Sequence, residues 1–321
     1  MLGPADSSAE TRPRRKHPRR GAASVIVMLI SLGLLLFACG KTPNSPGTTA
    51  GPGADHTTKP PAATISHPTG SQELVMRVST GGGLVPIQYM LTHVPEFSLY
   101  GDGTVIVTGP VILVFPGPAL PNLQTAKVSE DTIQEILSLA KELGLFANGV
   151  DYGSPGITDV ATTTILINAE GTSYRADIYA LGMEEGAGGL TMQQQEARAA
   201  IADLVAKLSD VSVFGAEGLA WKPYDFSSLL VFSTRFSPQS VSDTEIEPNR
   251  LAWPLDDPDT IGEPDDRPGY RRVVISGQDL DQLRPLLDEA TQITVWTYAG
   301  REYSLYFRPL LPDELAGGAS E

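Results

Sequence analysis

Few side chains in this sequence are suited to covalent or acid–base chemistry. The 321 residues include one cysteine, Cys39, and four histidines, His17, His56, His67 and His93. A lone thiol closes no disulfide within the chain and builds no paired-cysteine zinc site. No Gly-x-Ser-x-Gly, phosphate-binding loop or His-Glu-x-x-His pattern occurs, so no cofactor is implied. His93 lies between strand-like Leu91-Thr92 and Val94-Pro95, where a structural role outweighs that of a general base. Carboxylates remain. Asp256, Asp257, Asp259, Glu263, Asp265 and Asp266 crowd a proline-rich loop between Trp253 and Tyr270. Asp257-Pro258-Asp259 followed by Gly262 faintly echoes a calcium loop, with Asp257, Asp259 and Glu263 as its ligands. Ile261 replaces an oxygen ligand and Pro268 stands where the closing glutamate belongs, so a solvated acidic loop is the plainer reading. Two carboxylates about 5–9 Å apart can hydrolyse glycosides, a spacing that sequence does not reveal. Gly81-Gly82-Gly83 is not followed by a lysine-bearing helix start and reads as a strand connection rather than a phosphate cradle. Glu184–Gly189 reads as a mobile loop.

Cys39 has a role set by its position. A basic stretch, Arg12–Arg20, precedes an uncharged apolar run from Ala22 to Ala38. This is the order of an export signal, with the positive charges kept on the cytoplasmic side. The run ends in Leu36-Phe37-Ala38-Cys39-Gly40, which resembles the lipobox of bacterial lipoproteins; Phe37 is a less usual middle residue. The resemblance implies cleavage between Ala38 and Cys39, lipid (diacylglyceryl, palmitate) on the Cys39 thiol, and a chain anchored at the extracytoplasmic face of the cell membrane. An uncleaved membrane anchor is the alternative, and it leaves the remainder on the same side. Arg19-Arg20 is followed by Gly21-Ala22-Ala23, which favours the general secretion route over twin-arginine export.

Removing residues 1–38 takes away six of 23 basic and two of 38 acidic residues, leaving 17 against 36 and a net charge near −19. Such a surface repels phosphate backbones, so nucleic acid is excluded as a partner. Residues 39–70 hold six prolines, five glycines and nine serines or threonines after the cysteine. They read as a disordered tether, with His56 and His67 incidental within it. Residues 315–321 read as a disordered tail.

The part between is expected to be α+β, an antiparallel sheet or sheets with a few packed helices. Glu73–Ser79, Ile87–Thr92, Phe97–Tyr100 and Thr104–Thr108 read as strands, with Gly101-Asp102-Gly103 as a hairpin turn. Ser129 caps a helix to about Gly144, and another runs from about Thr191 to Leu208. Thr162–Asn168 and Thr172–Ala180 form a hairpin. Leu229–Phe236 and Arg271–Ile275 look extended; Ser276 caps a helix that Pro285 should kink or restart. Ile293–Tyr298 and Glu302–Phe307 close a last hairpin. Strand, capped helix and hairpin thus occur twice, which suggests related α+β halves at 71–215 and 216–314, or one domain containing both. Trp296, Tyr303, Leu305 and Phe307 line strand faces that read as core and, if exposed, would suit stacking on sugar rings or a partner protein.

Gly82-Gly83-Leu84-Val85-Pro86, Val94–Gly103 and Arg308–Glu314 together resemble an uncharacterised family of bacterial secreted and lipoprotein sequences. That resemblance carries no activity and transfers no functional residue. It implies that 73–314 is inherited as a unit. The expected function is a non-enzymatic envelope module that binds a wall ligand or an envelope protein. The alternatives are a tethered carboxylate-dependent hydrolase of wall polymers and an assembly factor for an envelope complex.

Overall fold

The computed structural model describes residues 64–183, 188–216, 218–238 and 246–316. Cys39, Ala38, the export segment, His56 and most of the expected tether lie outside the described residues, as do 184–187 of the expected mobile loop. The fold is α+β, built on two sheets.

The first sheet begins with β1 (Leu74–Gly81), after which α1 (Ile87–Thr92) leads to β2 (Phe97–Tyr100), β3 (Thr104–Thr108) and β4 (Leu123–Lys127). Helix α2 (Glu130–Glu142) follows, then the hairpin β5 (Thr162–Ala169) and β6 (Thr172–Tyr179), and helix α3 (Met192–Leu208). A short 3-10 turn (Val211–Phe214) leads to β7 (Lys222–Pro223). The strand order is β6-β5-β1-β2-β3-β4-β7, antiparallel throughout. The second sheet has β8 (Ser228–Arg235), β9 (Arg250–Ala252), β10 (Glu263–Pro264), β11 (Arg271–Ser276), β12 (Val295–Tyr298) and β13 (Arg301–Pro309) in the order β10-β11-β8-β13-β12-β9. Helix α4 (Gly277–Glu289) joins β11 to β12, and α5 (Pro312–Ala316) follows β13.

Helix α2 forms where the sequence places it. The Ser129 hydroxyl accepts from the Thr132 N–H, and Ile133, Ile136, Leu137 and Ala140 are buried on one stripe. Thr191 and Gln194 make a reciprocal capping box at the start of α3. Both helices pack on one face of the first sheet, against Met76, Val78, Phe97, Leu99, Ile165 and Ile167. Helix α4 covers one face of the second sheet, with Leu280, Leu283 and Leu287 against Trp296 and Phe307. The other faces of both sheets turn to a middle layer of α1, Val94 and Leu310-Leu311. There Asp313 accepts from Arg77 Nη2 at 2.7 Å and the Tyr100 hydroxyl at 2.8 Å, and Tyr224 donates to the Leu310 carbonyl at 3.0 Å.

Several expectations change. Ile87–Thr92 is a helix, not a strand: Pro86 sits just before it, and Ile87 and Leu91, four apart, pack on Leu230, Phe232 and Tyr306 of the second sheet. Pro285 does not restart α4, which runs through it from Gly277 to Glu289, and Ser276 makes no side-chain cap there. The three buried leucines offset the missing hydrogen bond, whose cost is about 3 kcal/mol in an exposed helix. Residues 64–70 belong to the fold. Ile65 is buried and its backbone pairs with the Gln134 side chain, and the Ser66 carbonyl accepts from the Glu170 N–H. Pro68 crosses Gly101 so closely that a side chain at Gly101 would clash with its carbonyl. Leu315 and Ala316 end a helix rather than a loose tail.

Strand, helix and hairpin do recur, as β4-α2-β5-β6 and β11-α4-β12-β13. The connectivity differs. In the first sheet the hairpin joins through its leading strand β5, with β3, β2 and β1 between it and β4. In the second it joins through its trailing strand β13, with β8 between it and β11. Strand β7 also belongs to the first sheet although it lies past residue 216, and the described residues form one compact unit.

Candidate functional site

The acidic loop folds back on the second sheet. Trp253 is buried edge-on to Trp296, ring centroids 5.7 Å apart, and its indole N–H donates to the Asp256 carbonyl at 2.8 Å. Thr260 and Ile261 N–H groups donate to the Asp257 carbonyl, closing a tight turn. The β8–β13 register sets Arg235 opposite Tyr303, and the β12–β13 hairpin presents Arg301 beside them. These residues meet the loop. Arg301 pairs with Asp257 and, at 2.7 Å, with Asp259; Arg235 grips the Asp259 carboxylate with two donors. The Tyr303 hydroxyl donates to Asp259 at 2.9 Å and Asp257 at 3.3 Å. Ser233 Oγ donates to the Pro258 carbonyl at 3.0 Å, and Arg271 donates to the carbonyls of Thr260, Ile261 and Gly262.

Between Ser233–Arg235, Pro258-Asp259, Gly269–Arg271 and Tyr303 lies a cleft of about 270 Å³. Its electrostatics are those of paired, ionised groups. The Asp259 N–H, followed by Arg301, holds the Asp257 carboxyl below the usual range. Burial, and then the Asp259 carboxylate, pushes the Tyr303 phenol up to about 12. At neutral pH the cleft therefore holds a phenol rather than a phenolate at Tyr303, and Asp257, beside the cleft, is a carboxylate rather than a carboxylic acid. This suits recognition of a small polar group better than proton transfer.

The calcium set does not assemble. Asp257 and Asp259 come together, but around guanidinium groups, and Glu263 pairs with Arg272 at 2.9 Å. Arg235 and Arg301 supply the positive charge that a bound cation would bring. Asp265 pairs with Arg267 at 2.8 Å. The sequence singled out the acidic residues and missed their partners, because Arg301 is 44 positions from Asp257 and nothing local marks the pairing.

His93 ends α1, with Nε2 3.1 Å from Ser79 Oγ and its ring 5.6 Å from that of Tyr89. Ser79 lies on the same face of β1 as Arg77, turned to the middle layer, so the pair fastens α1 to the sheet. Nearby, Glu96 accepts from the Thr80 N–H at 2.9 Å, and burial holds its carboxyl above the usual range. His67 lies on the domain, with Nε2 2.9 Å from Glu130. Trp296, Tyr303 and Phe307 are buried in the second core, so the aromatic face is interior.

A second region escaped the sequence reading. The β3–β4 connection carries Val111-Ile112-Leu113-Val114-Phe115, all exposed, with Leu113 at 98%. A five-residue apolar run between Pro110 and Pro116 was the available signal. Among the described residues no helix is long and apolar enough to cross a membrane. Comparison with protein-family models, curated proteins and solved structures returned no match.

Proposed function

We propose that the chain is a lipoprotein held to the extracytoplasmic face of the cell membrane through lipid on Cys39, and that its folded part is a non-enzymatic binding module of the envelope. The observation that supports binding over hydrolysis is the pairing at the cleft. Both Asp257 and Asp259 are held by Arg301, and Asp257 is biased toward its ionised form. A carboxylate hydrolase needs one carboxyl that keeps its proton near neutral pH. The cleft instead offers ion-paired groups and hydroxyls to a polar wall fragment or to side chains of an envelope protein.

Two experiments address the two parts. Cys39→Ser is expected to abolish incorporation of labelled fatty acid and cleavage before residue 39; unchanged labelling sinks the anchoring claim. Crosslinking of the full chain in intact envelopes, then detergent extraction, is expected to recover a stoichiometric wall fragment or protein. Arg235→Ala is expected to reduce that recovery. Release of wall sugars that depends on Asp257 or Asp259, without such capture, would replace binding with hydrolysis.

A further inference from the structure

The β3–β4 connection is the least charged part of the chain. No charged residue occurs between Asp102 and Lys127, whereas 19% of the whole chain is charged. From Pro110 to Pro118 there is also no hydrogen-bonding side chain. The base of the loop is fixed. Gly109 N–H donates to the Asn122 carbonyl at 2.7 Å, the Asn122 side chain donates to the Pro110 carbonyl at 2.8 Å, and Ala119 N–H donates to the Ala290 carbonyl at 3.1 Å. The apolar side chains between are therefore presented from a built support and not buried by it.

The registers locate the loop in the fold. Val78, Phe97 and Val107 are neighbours across β1, β2 and β3, and Gly81, Thr162 and Tyr179 are neighbours across β1, β5 and β6. The ends of β1, β3 and β6 therefore lie together at one end of the first sheet. Leu84, 87% exposed, and Met183 follow β1 and β6 at that same end. The incoming chain at Ser66 meets the β5–β6 turn at the opposite end.

We propose that Val111–Phe115 inserts into the outer leaflet of the bilayer that anchors the chain, as a second, non-covalent attachment. Three features select lipid over a protein partner. First, the loop brings no polar rim, which protein interfaces carry at about one hydrogen bond per 100–200 Å². Second, its backbone is satisfied in part, and the N–H groups of Val111, Ile112, Leu113 and Phe115, which have no partner among the described residues, are left to the oxygens of the lipid headgroup region. Of the nine residues from Pro110 to Pro118, three are prolines without N–H. Val114 N–H already donates to the Ile112 carbonyl and Gly117 N–H to Gln292. Third, the bilayer is within reach. The 24 residues between Cys39 and Thr64 extend to roughly 80 Å, and β1 is about 27 Å long. The chain can therefore pass the full length of the sheet and leave its apolar end on the lipid. This inference takes the membrane location from the proposed function but not the lipid itself, since an uncleaved apolar segment at Ala22–Ala38 gives the same reach.

The test uses the full chain reconstituted in phosphatidylcholine vesicles, with Leu113→Trp as reporter against the unsubstituted chain. The expected result is extra emission that is blue-shifted and lost when the lipids carry brominated acyl chains, and that is unaffected by high salt. Emission from residue 113 that stays red-shifted and unquenched by brominated lipid overturns the proposal. A blue shift that needs an added envelope extract and is insensitive to bromine also overturns it, in favour of a protein partner. Either failure leaves fatty-acid labelling at Cys39 untouched, so the two claims fall separately.

Discussion

The acidic loop at 256–266 and the apolar loop at 111–115 are opposites in composition and, against first expectation, in availability. The acidic loop holds the densest negative charge in the sequence, and the protein itself satisfies much of that charge through Arg235, Arg267, Arg272 and Arg301. The apolar loop holds none, and nothing among the described residues covers it. Charge on a sequence marks where attraction is possible, and a fold with enough arginines consumes it internally. An exposed apolar run has no such internal use, so its exposure says more about an outside partner.

This contrast can be broken or sharpened by substitution. The largest effect is expected at the root of the acidic loop. Trp253→Ala removes a buried ring and the tie to Asp256, and chemical unfolding of the full chain in detergent should show a loss of about 3–5 kcal/mol. A loss near zero would mean that the loop is not built on this core. Tyr303→Phe deletes only the hydroxyl shared by Asp257 and Asp259, with an expected loss of about 1 kcal/mol in the same measurement.

Acid should separate the two loops next. The folded-state value of Asp257 is depressed, so its contribution is present above the unfolded carboxyl value near 3.9 and is lost as pH falls through the lower folded value. Stability should therefore decline below about pH 4, and less so in Asp257→Asn. Bilayer contact by the apolar loop involves no titratable side chain, and quenching at residue 113 should hold constant down to that pH. The smallest stability effect is expected for Leu113→Ser, within about 0.5 kcal/mol of the unsubstituted protein. A large loss there would show that Leu113 is packed rather than exposed.

What the sequence disclosed follows the same division between local and distant causes. Helices α2 and α3 were legible because cap and stripe lie within one segment, Ser129 with Ile133 to Ala140 and Thr191 with Gln194. The β2–β3 hairpin was legible from its Asp-Gly turn. Helix α1 was not: six residues rich in strand formers become helical because Ile87 and Leu91 find the second sheet. Strand β4 was missed because Leu-Gln-Thr-Ala-Lys has no strand signal of its own and is set by pairing with β3. At the cleft the two aspartates could be read, whereas Arg235 and Tyr303 reach them only through the β8–β13 register.

The joint at Asp313 has a consequence for timing. Asp313 takes hydrogen bonds from Arg77 and Tyr100, which precede it by 236 and 213 positions. Synthesis proceeds from the N-terminus, so the first sheet waits through almost the whole chain for the carboxylate that closes its inner face. A polypeptide halted before Pro312 can pair its strands and seat α2 and α3 yet leaves Arg77 and Tyr100 without that acceptor. Completion of the chain is thereby registered in the middle of the fold.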